Sequence, residues 1–300
     1  MPNDAPTPDP QPPTPTRQRV NKAVELLADG QPIYYVTVEE RGYEGGRAAA
    51  RTWADYINYE MEHAAFDVRG LHDFMRGLTD GGPTPSGHRA PAVIVTLPTD
   101  GSDEQVMRAN AWMVKQVLAA GVHGILLCHA ETPGAVRAFV EAARYPFHSP
   151  TGRRGSGGQQ QAAAIWGLSV DEYLRRAEPW PLNPAGELLL GLKIENTRAL
   201  ANVEASLAVP GIAFAEWGPG DMGMSLGYPN QHDPPYPADM LAAKARVLAA
   251  CKANRLAFLN AVTPDDVLDQ LAEGVLICAG RGAAEAAEIG RKHTGRRMPW

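Results

Sequence analysis

Two apolar stretches decide the fold, LLLGLKIE over residues 188–195 and IAFAEWGPGD over residues 212–221. Each is strand-like and leads to a carboxylate, Glu195 in the first and, after a glycine-rich turn, Asp221 in the second. Carboxylate oxygens are preferred ligands of Mg²⁺ and Mn²⁺, and two protein ligands leave positions open for a chelating substrate. We therefore predict that Glu195 and Asp221 share one divalent cation. An alternative interpretation is that each acid only caps the following helix.

The pattern of a strand followed by a helix recurs along the chain. Strands are predicted to begin at Pro32, Asp55, Pro91, Val122, Leu188, Ile212, Leu256 and Val275. Helices are predicted over residues 21–27, 46–53, 68–78, 103–120 and 133–144 and from about 197, 239, 264 and 283, with an irregular insertion after residue 146. Eight such units favour a closed (β/α)8 TIM barrel over a doubly wound sheet, and no glycine-rich dinucleotide turn follows an early strand.

Length and composition agree with one large α/β domain. A chain of 300 residues with 44% hydrophobic content allows a single barrel over residues 18–300. The proline-rich segment 1–17 has too little apolar surface to fold, and we expect it to be disordered. Three cysteines in apolar surroundings predict buried free thiols rather than a disulfide framework.

Charge and hydropathy limit the partners. The net charge of −6 and the lack of a long Lys/Arg cluster exclude a nucleic-acid surface and favour a small-molecule substrate. The sequence has neither an apolar run of 18 residues nor a signal-peptide pattern. We therefore expect a cytoplasmic protein that does not contact membranes.

Functional residues of such a barrel lie on the loops that follow the carboxyl ends of the strands. This rule selects residues 60–63, Thr96, residues 128–131, Glu195 and Asp221. Within 128–131, His129 and Glu131 have three open interpretations: they bind a polar group of the substrate, form an acid/base pair, or cap the helix that begins at Thr132-Pro133.

Several separated blocks resemble one family in their order and spacing. They are ADYINYEMEH (54–63), GVHGI (121–125), AARYP (142–146), IEN (194–196), VPG (209–211), GPGDM (218–222) and SLG (225–227). Together they resemble the HpcH/HpaI family of metal-dependent class II aldolases, and the similarity extends from about residue 21 to 291. The resemblance implies a TIM barrel that forms or cleaves carbon–carbon bonds next to a 2-keto acid carbonyl.

The resemblance also assigns roles. It implies that Glu195 and Asp221 bind a divalent cation such as Mg²⁺, Mn²⁺ or Co²⁺, and that His63, oriented by Glu60, acts as the base. It further implies a homo-oligomer, a trimer-based hexamer whose C-terminal elements are exchanged, here through a helix at residues 283–292.

Two departures from the family pattern affect the substrate anchors. Thr96 stands where the family carries an arginine that holds the substrate, so ordinary pyruvate aldolase activity is in doubt. Lys193 stands where the family commonly has glutamine, and the strand period directs it to the same interior side as Glu195. Lys193 has three open interpretations: a substitute positive charge, a Schiff-base amine, or a salt bridge at the rim.

Three further residues are assigned to the substrate pocket. Trp217 is a candidate for stacking on a substrate, with barrel core as the alternative. Gly220 belongs to the turn that precedes Asp221. Arg154, in the glycine-rich stretch at residues 146–161, is a candidate carboxylate clamp on an active-site lid.

Three functions remain open at this point. The first is a metal-dependent lyase of the aldolase type that acts in catabolism on a 2-keto acid or a related carbonyl compound. The second is decarboxylation of a keto acid at the same metal site. The third is a barrel without catalysis that serves in binding or assembly, an interpretation suggested by Thr96.

Overall fold

The computed structural model describes residues 18–299, and the predicted disordered tail lies outside them. The strands are β1 (Ile33–Thr37), β2 (Tyr56–Glu60), β3 (Ala92–Asp100), β4 (Gly124–Cys128), β5 (Pro179–Trp180), β6 (Leu188–Lys193), β7 (Phe214–Glu216), β8 (Ala257–Ala261) and β9 (Val275–Ala279). The helices are α1 (Lys22–Ala28), α2 (Gly42–Ala49), α3 (Val68–Asp80), α4 (Glu104–Ala109), α5 (Ala111–Ala119), α6 (Pro133–Ala143), α7 (Gln159–Trp166), α8 (Val170–Arg176), α9 (Thr197–Ala201), α10 (Val203–Leu207), α11 (Pro219–Leu226), α12 (Ala238–Asn254), α13 (Val267–Glu273) and α14 (Ala283–His293).

The strands form one parallel sheet that closes on itself. Neighbours pair in the order β4-β3-β2-β1-β9-β8-β7-β6, and β4 also pairs with β6, while the two-residue β5 lies against β6. The closed ring of eight strands confirms the predicted TIM barrel, and all eight predicted strands are present within one or two residues of their expected starts. Parallel strands covered on both faces are largely apolar, as the fully buried GILLC of β4 illustrates.

Helix α1 closes the amino-terminal end of the barrel. Its buried residues Ala23, Val24 and Leu26 belong to the same apolar cluster as Ile33 and Tyr56, whose side chains come from neighbouring strands. A second and larger apolar cluster fills the layer between the strands and the outer helices. Ligands are therefore restricted to the opposite end, where the strands finish.

The region after residue 146 contains two helices that the sequence analysis missed. The predicted irregular insertion folds into α7 and α8, and α8 begins with a capping box in which Ser169 and Glu172 bond each other's backbone N–H groups. The single helix predicted over residues 103–120 is divided into α4 and α5 at Asn110. A helix, α11, replaces the predicted turn around Asp221.

In this single chain the C-terminal helix packs on its own barrel, and the exchange of this helix between subunits stays a prediction. Gly290 of α14 lies so close to the Tyr34 hydroxyl that no Cβ would fit. Arg291 donates hydrogen bonds to the Trp53 carbonyl and to Asp55. The hexamer itself stays a prediction.

The described residues also bear on two compositional expectations. Cys128, Cys251 and Cys278 are buried and free of disulfides, as predicted. No helix between residues 18 and 299 has the length and apolarity required to cross a bilayer.

Asp55 fastens the amino-terminal end of the barrel. Its buried carboxylate accepts hydrogen bonds from Arg296 at 2.8 Å and Arg291 at 3.1 Å, and Lys22 Nζ lies 3.2 Å away. Burial opposes the charge, but the three cations outweigh it and hold the pKa of Asp55 below its usual range. One carboxylate thus joins α1, the start of β2 and the C-terminal segment.

We expect Asp55→Asn to lower the free energy of unfolding by about 3–5 kcal/mol, because it leaves three buried cations without their counter-charge. Urea unfolding at pH 7 measures this difference. The control is Asp73→Asn, which removes an exposed acid paired with Arg76 and should change stability by less than about 0.5 kcal/mol. Equal losses in the two variants would contradict the role given to Asp55.

Candidate functional site

Four side chains that can bind a metal converge at the carboxyl ends of the strands. Glu62 follows β2, His129 follows β4, Glu195 follows β6, and Asp221 lies in the first turn of α11, after β7. One ligand atom from each lies within 4.8 Å of the others. Parallel strands in a closed barrel all finish at the same end, which is why residues so distant in the chain meet here.

Glu195 is the buried centre of this group, with about 1% of its surface exposed. Its Oε1 accepts the backbone N–H of His129 at 2.9 Å, and its Oε2 lies 3.6 Å from Lys193 Nζ. Burial raises the pKa of Glu195, although Lys193 and the His129 N–H oppose this effect. A Cβ on Gly218 would lie only 2.7 Å from Oε2, so glycine is required where the chain passes this carboxylate.

The ammonium group of Lys193 is paired with acidic side chains. Its Nζ donates to Glu62 Oε2 at 2.5 Å, and the side chain is 12% exposed. Burial works against the charge, but Glu216, Glu195 and Glu62 outweigh it and raise the pKa of Lys193. A Schiff-base lysine needs a neutral amine, so the acids around Lys193 disfavour this alternative.

Glu216 brings a further acid into the barrel interior. It pairs in register with Lys193 across β6 and β7. Burial raises the pKa of Glu216 to about 7, and Lys193 only partly offsets this. Both residues line a cavity of about 210 Å³ that Thr96 and Asn58 also line.

Thr96 contributes an uncharged hydroxyl group to the wall of this cavity. Its side chain is buried, and Oγ1 donates to Asn58 Oδ1 at 2.8 Å. Thr96 and Lys193 therefore line the same cavity, and the Thr96 hydroxyl is paired with an amide.

His63 lies at the mouth of the site. Its side chain is 73% exposed, and Nδ1 lies 3.9 Å from Glu60 Oε1 and 3.8 Å from Glu62 Oε2, both longer than a hydrogen bond. Glu60 Oε1 instead accepts the backbone N–H groups of Glu62 and His63. Glu60 thus shapes the turn that carries His63 and does not hold the imidazole directly.

The donor set suits a divalent cation. The carboxylates of Glu62, Glu195 and Asp221 and the imidazole of His129 lie close together. The ammonium of Lys193 contacts two of these carboxylates. Concentrated negative charge in a partly buried site is stabilised by a bound cation, and oxygen and nitrogen atoms are its usual protein ligands. The missing side chain of Gly218 leaves room for the Glu195 carboxylate beside Lys193.

Comparison with known proteins identifies the family. Residues 92–281 match the family model described as HpcH/HpaI aldolase/citrate lyase. The chain belongs to this family. It is 32% identical over 206 residues to the 2-keto-3-deoxy-L-rhamnonate aldolase of Salmonella schwarzengrund (strain CVM19633), an alignment covering 68% of this chain and 67% of that protein.

Solved structures agree with this assignment. An HpcH/HpaI aldolase/citrate lyase family protein from Burkholderia cenocepacia J2315 superimposes with a TM-score of 0.70 at 25% identity, covering 92% of this chain and 98% of that one. The HpcH/HpaI aldolase from Desulfitobacterium hafniense DCB-2 shares the fold, with a TM-score of 0.64 at 21% identity over 90% of this chain and 95% of that one. Membership of the HpcH/HpaI family makes this chain an aldolase-type lyase of a divalent-metal-dependent class.

Two residues assigned to the substrate pocket lie elsewhere, and both assignments are contradicted. Trp217 is buried, with Nε1 donating to Asn260 Oδ1 at 2.8 Å, so it belongs to the core. The Arg154 guanidinium is buried over the Tyr145 ring and donates to Tyr173 and to the Leu118 carbonyl. Because Leu118 precedes β4, Arg154 lies at the end of the barrel opposite the carboxylates.

Gly220 is packed against a neighbouring loop. A Cβ at this position would lie 2.7 Å from His232 Nδ1, so a larger residue would clash with His232. Its contact with substrate stays a prediction.

Three residues of this site are not predicted from the sequence as metal ligands or cavity residues. Glu62 lies within the EMEH motif, where its position beside His63 is a signal for it. For His129 the sequence suggests substrate binding, an acid/base pair or a helix cap, without a metal role. Glu216 has no predicted role, although the period of two along β7 places it inside the barrel.

Glu216 predicts a pH dependence of stability in the metal-free protein. It keeps its proton in the folded chain up to about pH 7, whereas in the unfolded chain it ionises near pH 4.5. Ionisation therefore favours the unfolded chain between these values, and stability falls as the pH rises. Glutamine cannot ionise, so the stability of Glu216→Gln should not fall in this way. Between pH 4.5 and pH 7.5 its free energy of unfolding should rise by up to about 3 kcal/mol relative to that of the native chain.

Urea unfolding at the two pH values, in the presence of a chelator, checks this expectation. Glu44→Gln is the control, since Glu44 is exposed on α2 and should follow the native pH profile. A Glu216→Gln profile parallel to that of the native chain would overturn the assignment.

Proposed function

We propose that this chain cleaves the bond between C3 and C4 of a 4-hydroxy-2-keto acid, with Glu195 and Asp221 as metal ligands. The observation that carries the proposal is the approach of Glu62, His129, Glu195 and Asp221 to within 4.8 Å at the carboxyl end of the barrel. The substrate class is supported by the 32% identical relative, whose name specifies a 2-keto-3-deoxy sugar acid.

The chemistry divides between the cation and the chain. When bound, Mg²⁺, Mn²⁺ or Co²⁺ would polarise the 2-keto oxygen and stabilise negative charge there. Glu195 and Asp221 would hold it, while Lys193 balances the charge of Glu62 and Glu195. Lys193 is thereby kept away from covalent chemistry.

His63 is the proposed base. Its exposed imidazole stands beside Glu62 at the mouth of the site, where it can take the proton of the substrate's 4-hydroxyl group. The C4–O bond becomes a carbonyl, the electron pair of the C3–C4 bond passes to the 2-keto group, and an aldehyde leaves. Return of the proton to C3 completes the cleavage, so one group moves a single proton out and back.

The test follows two products. Metal-loaded protein is incubated with 4-hydroxy-2-keto acids and separately with oxaloacetate, and aldehyde and CO₂ are measured. We expect aldehyde from the first, and a loss of kcat/KM of at least about 100-fold in Glu195→Gln and Asp221→Asn with little change in thermal stability. Glu204→Gln, which alters an exposed ion pair, is the control.

Each contrary result has one meaning. CO₂ from oxaloacetate without aldehyde from any hydroxy acid would replace the proposal by decarboxylation. Full activity in both acid variants would overturn the ligand assignment. Silence on both substrates would overturn the substrate class.

A second prediction concerns the space beside Glu195. Gly218→Ala places a methyl group 2.7 Å from Glu195 Oε2, so the carboxylate must move, and we expect Mn²⁺ affinity to fall by about tenfold or more. Gly155→Ala is the matched control, because nothing lies within 4 Å of its new Cβ. Equal affinities, measured by the EPR signal of free Mn²⁺, would show that the position of this carboxylate does not determine binding.

A further inference from the structure

We infer that the cavity of about 210 Å³ inside the barrel binds an uncharged hydroxyl group of the substrate, and that Tyr35, Tyr56 and Glu216 determine substrate specificity there. The inference rests on the proposed function, because it concerns a substrate of the same reaction. Its new content is the chemical class of a group that the substrate carries and the residues that recognise this group.

The cavity lies on the interior side of the candidate metal site. Lys193 lines it and also contacts Glu62 and Glu195, so the two spaces share a wall. Branched apolar side chains normally fill the interior of such a barrel. In this wall the other residues are polar, and the apolar ones are Ile94, Leu126 and Leu259. A polar cavity of this size holds water or the polar part of a ligand.

Two tyrosines of the wall have hydroxyl groups that make no hydrogen bond to any residue between 18 and 299. Tyr35 of β1 and Tyr56 of β2 are in register, and their rings stack with centroids 4.8 Å apart. Burial raises the pKa of both tyrosines, so each keeps its phenolic proton and can donate it in a hydrogen bond. A buried hydroxyl without a partner is unfavourable, and a ligand in the cavity would supply the partner.

Glu216 is the third group of the wall that has no partner. Its carboxyl group makes no hydrogen bond within the described residues. The neutral side chains beside it are already paired, because Thr96 donates to Asn58 and Asn58 donates to Thr37. The side chains left to recognise a ligand are therefore the two tyrosines and Glu216.

The charges of the wall favour an uncharged ligand group. A carboxylate in the cavity would lie beside the acids Glu216 and Glu60, and an ammonium would lie beside Lys193. A hydroxyl group carries no charge and can both accept and donate a hydrogen bond. It can accept from Tyr35 or Tyr56 and donate to Glu216, which matches the three unpaired groups.

The test measures substrate preference in the direction of carbon–carbon bond formation, with the full metal-loaded chain. The first arm compares hydroxypyruvate with pyruvate, with acetaldehyde as the fixed aldehyde. The second arm compares glyceraldehyde with propanal, with pyruvate as the fixed keto acid. The first arm therefore tests a hydroxyl group on C3, and the second tests hydroxyl groups beyond C4.

We expect Tyr56→Phe and Tyr35→Phe to lower the ratio of kcat/KM for the hydroxylated compound to that for its partner by about tenfold in one arm. Phenylalanine keeps the stacked ring, and the change removes no hydrogen bond within the chain, so folding should be retained. A general loss of structure would lower both values of kcat/KM equally and leave the ratio unchanged.

Tyr59→Phe is the matched control. Tyr59 lies on the same strand as Tyr56, and its hydroxyl is also buried without a partner. Its ring packs on Phe74 in the layer between the strands and the outer helices. Loss of this hydroxyl should leave the ratio unchanged in both arms.

Ratios that stay within about twofold of the native values in both arms would overturn the inference and leave the proposed function intact. If the native chain forms no product in either arm, the proposed function fails by itself. Crystal structures of the native chain with hydroxypyruvate and with glyceraldehyde then decide the role of the cavity. A ligand hydroxyl within about 3.2 Å of the Tyr56 oxygen would support the inference, and a cavity that contains water alone would overturn it.

Discussion

Closure of the barrel between β4 and β6 is the constraint on which the site depends. The two strands are separated by the insertion that contains α7 and α8, yet they pair from Gly124–Leu189 to Leu127–Leu192. Beyond the last pair, the Ala130 N–H donates to the Lys193 carbonyl at 3.1 Å. The chain is thereby held where the preceding N–H, that of His129, reaches Glu195. Backbone pairing thus positions the central carboxylate.

The two ends of the barrel use buried charge in opposite ways. At the amino-terminal end, one carboxylate, Asp55, is surrounded by cations that reach it from different segments. At the carboxyl end, one ammonium, Lys193, is surrounded by acids. Removal of Asp55 is costly, because it leaves its three cations without their counter-charge. The first arrangement fastens chain segments together, whereas the second retains negative charge for a ligand, in agreement with the division of stability and function in such barrels.

The sequence predicts the strands well because each is an apolar run bounded by glycine, proline or a charge. It predicts less of α7, whose QQQAAAIW has no clear apolar period, and the Ser169–Glu172 capping box was the available signal for α8. Barrel topology suffices to bring Glu195 and Thr96 to one end. Barrel topology does not predict that Lys193 contacts Glu62 across the barrel. It also does not predict which end of the barrel the Arg154 loop packs against. Both contacts depend on side-chain reach and loop packing, which sequence spacing does not determine.

The substitutions at Thr96 and Lys193 are best understood together. The resemblance leads one to expect an arginine on the third strand and a glutamine at the Lys193 position, whereas this chain has a neutral hydroxyl and an ammonium. The barrel interior therefore keeps one positive charge but carries it on β6. There the Lys193 Nζ lies 2.5 Å from Glu62 Oε2 and 3.6 Å from Glu195 Oε2. The ammonium charge is therefore balanced by the chain's own acids. Under the proposed function, a substrate carboxylate would then be held by neutral donors or by the metal rather than by Lys193.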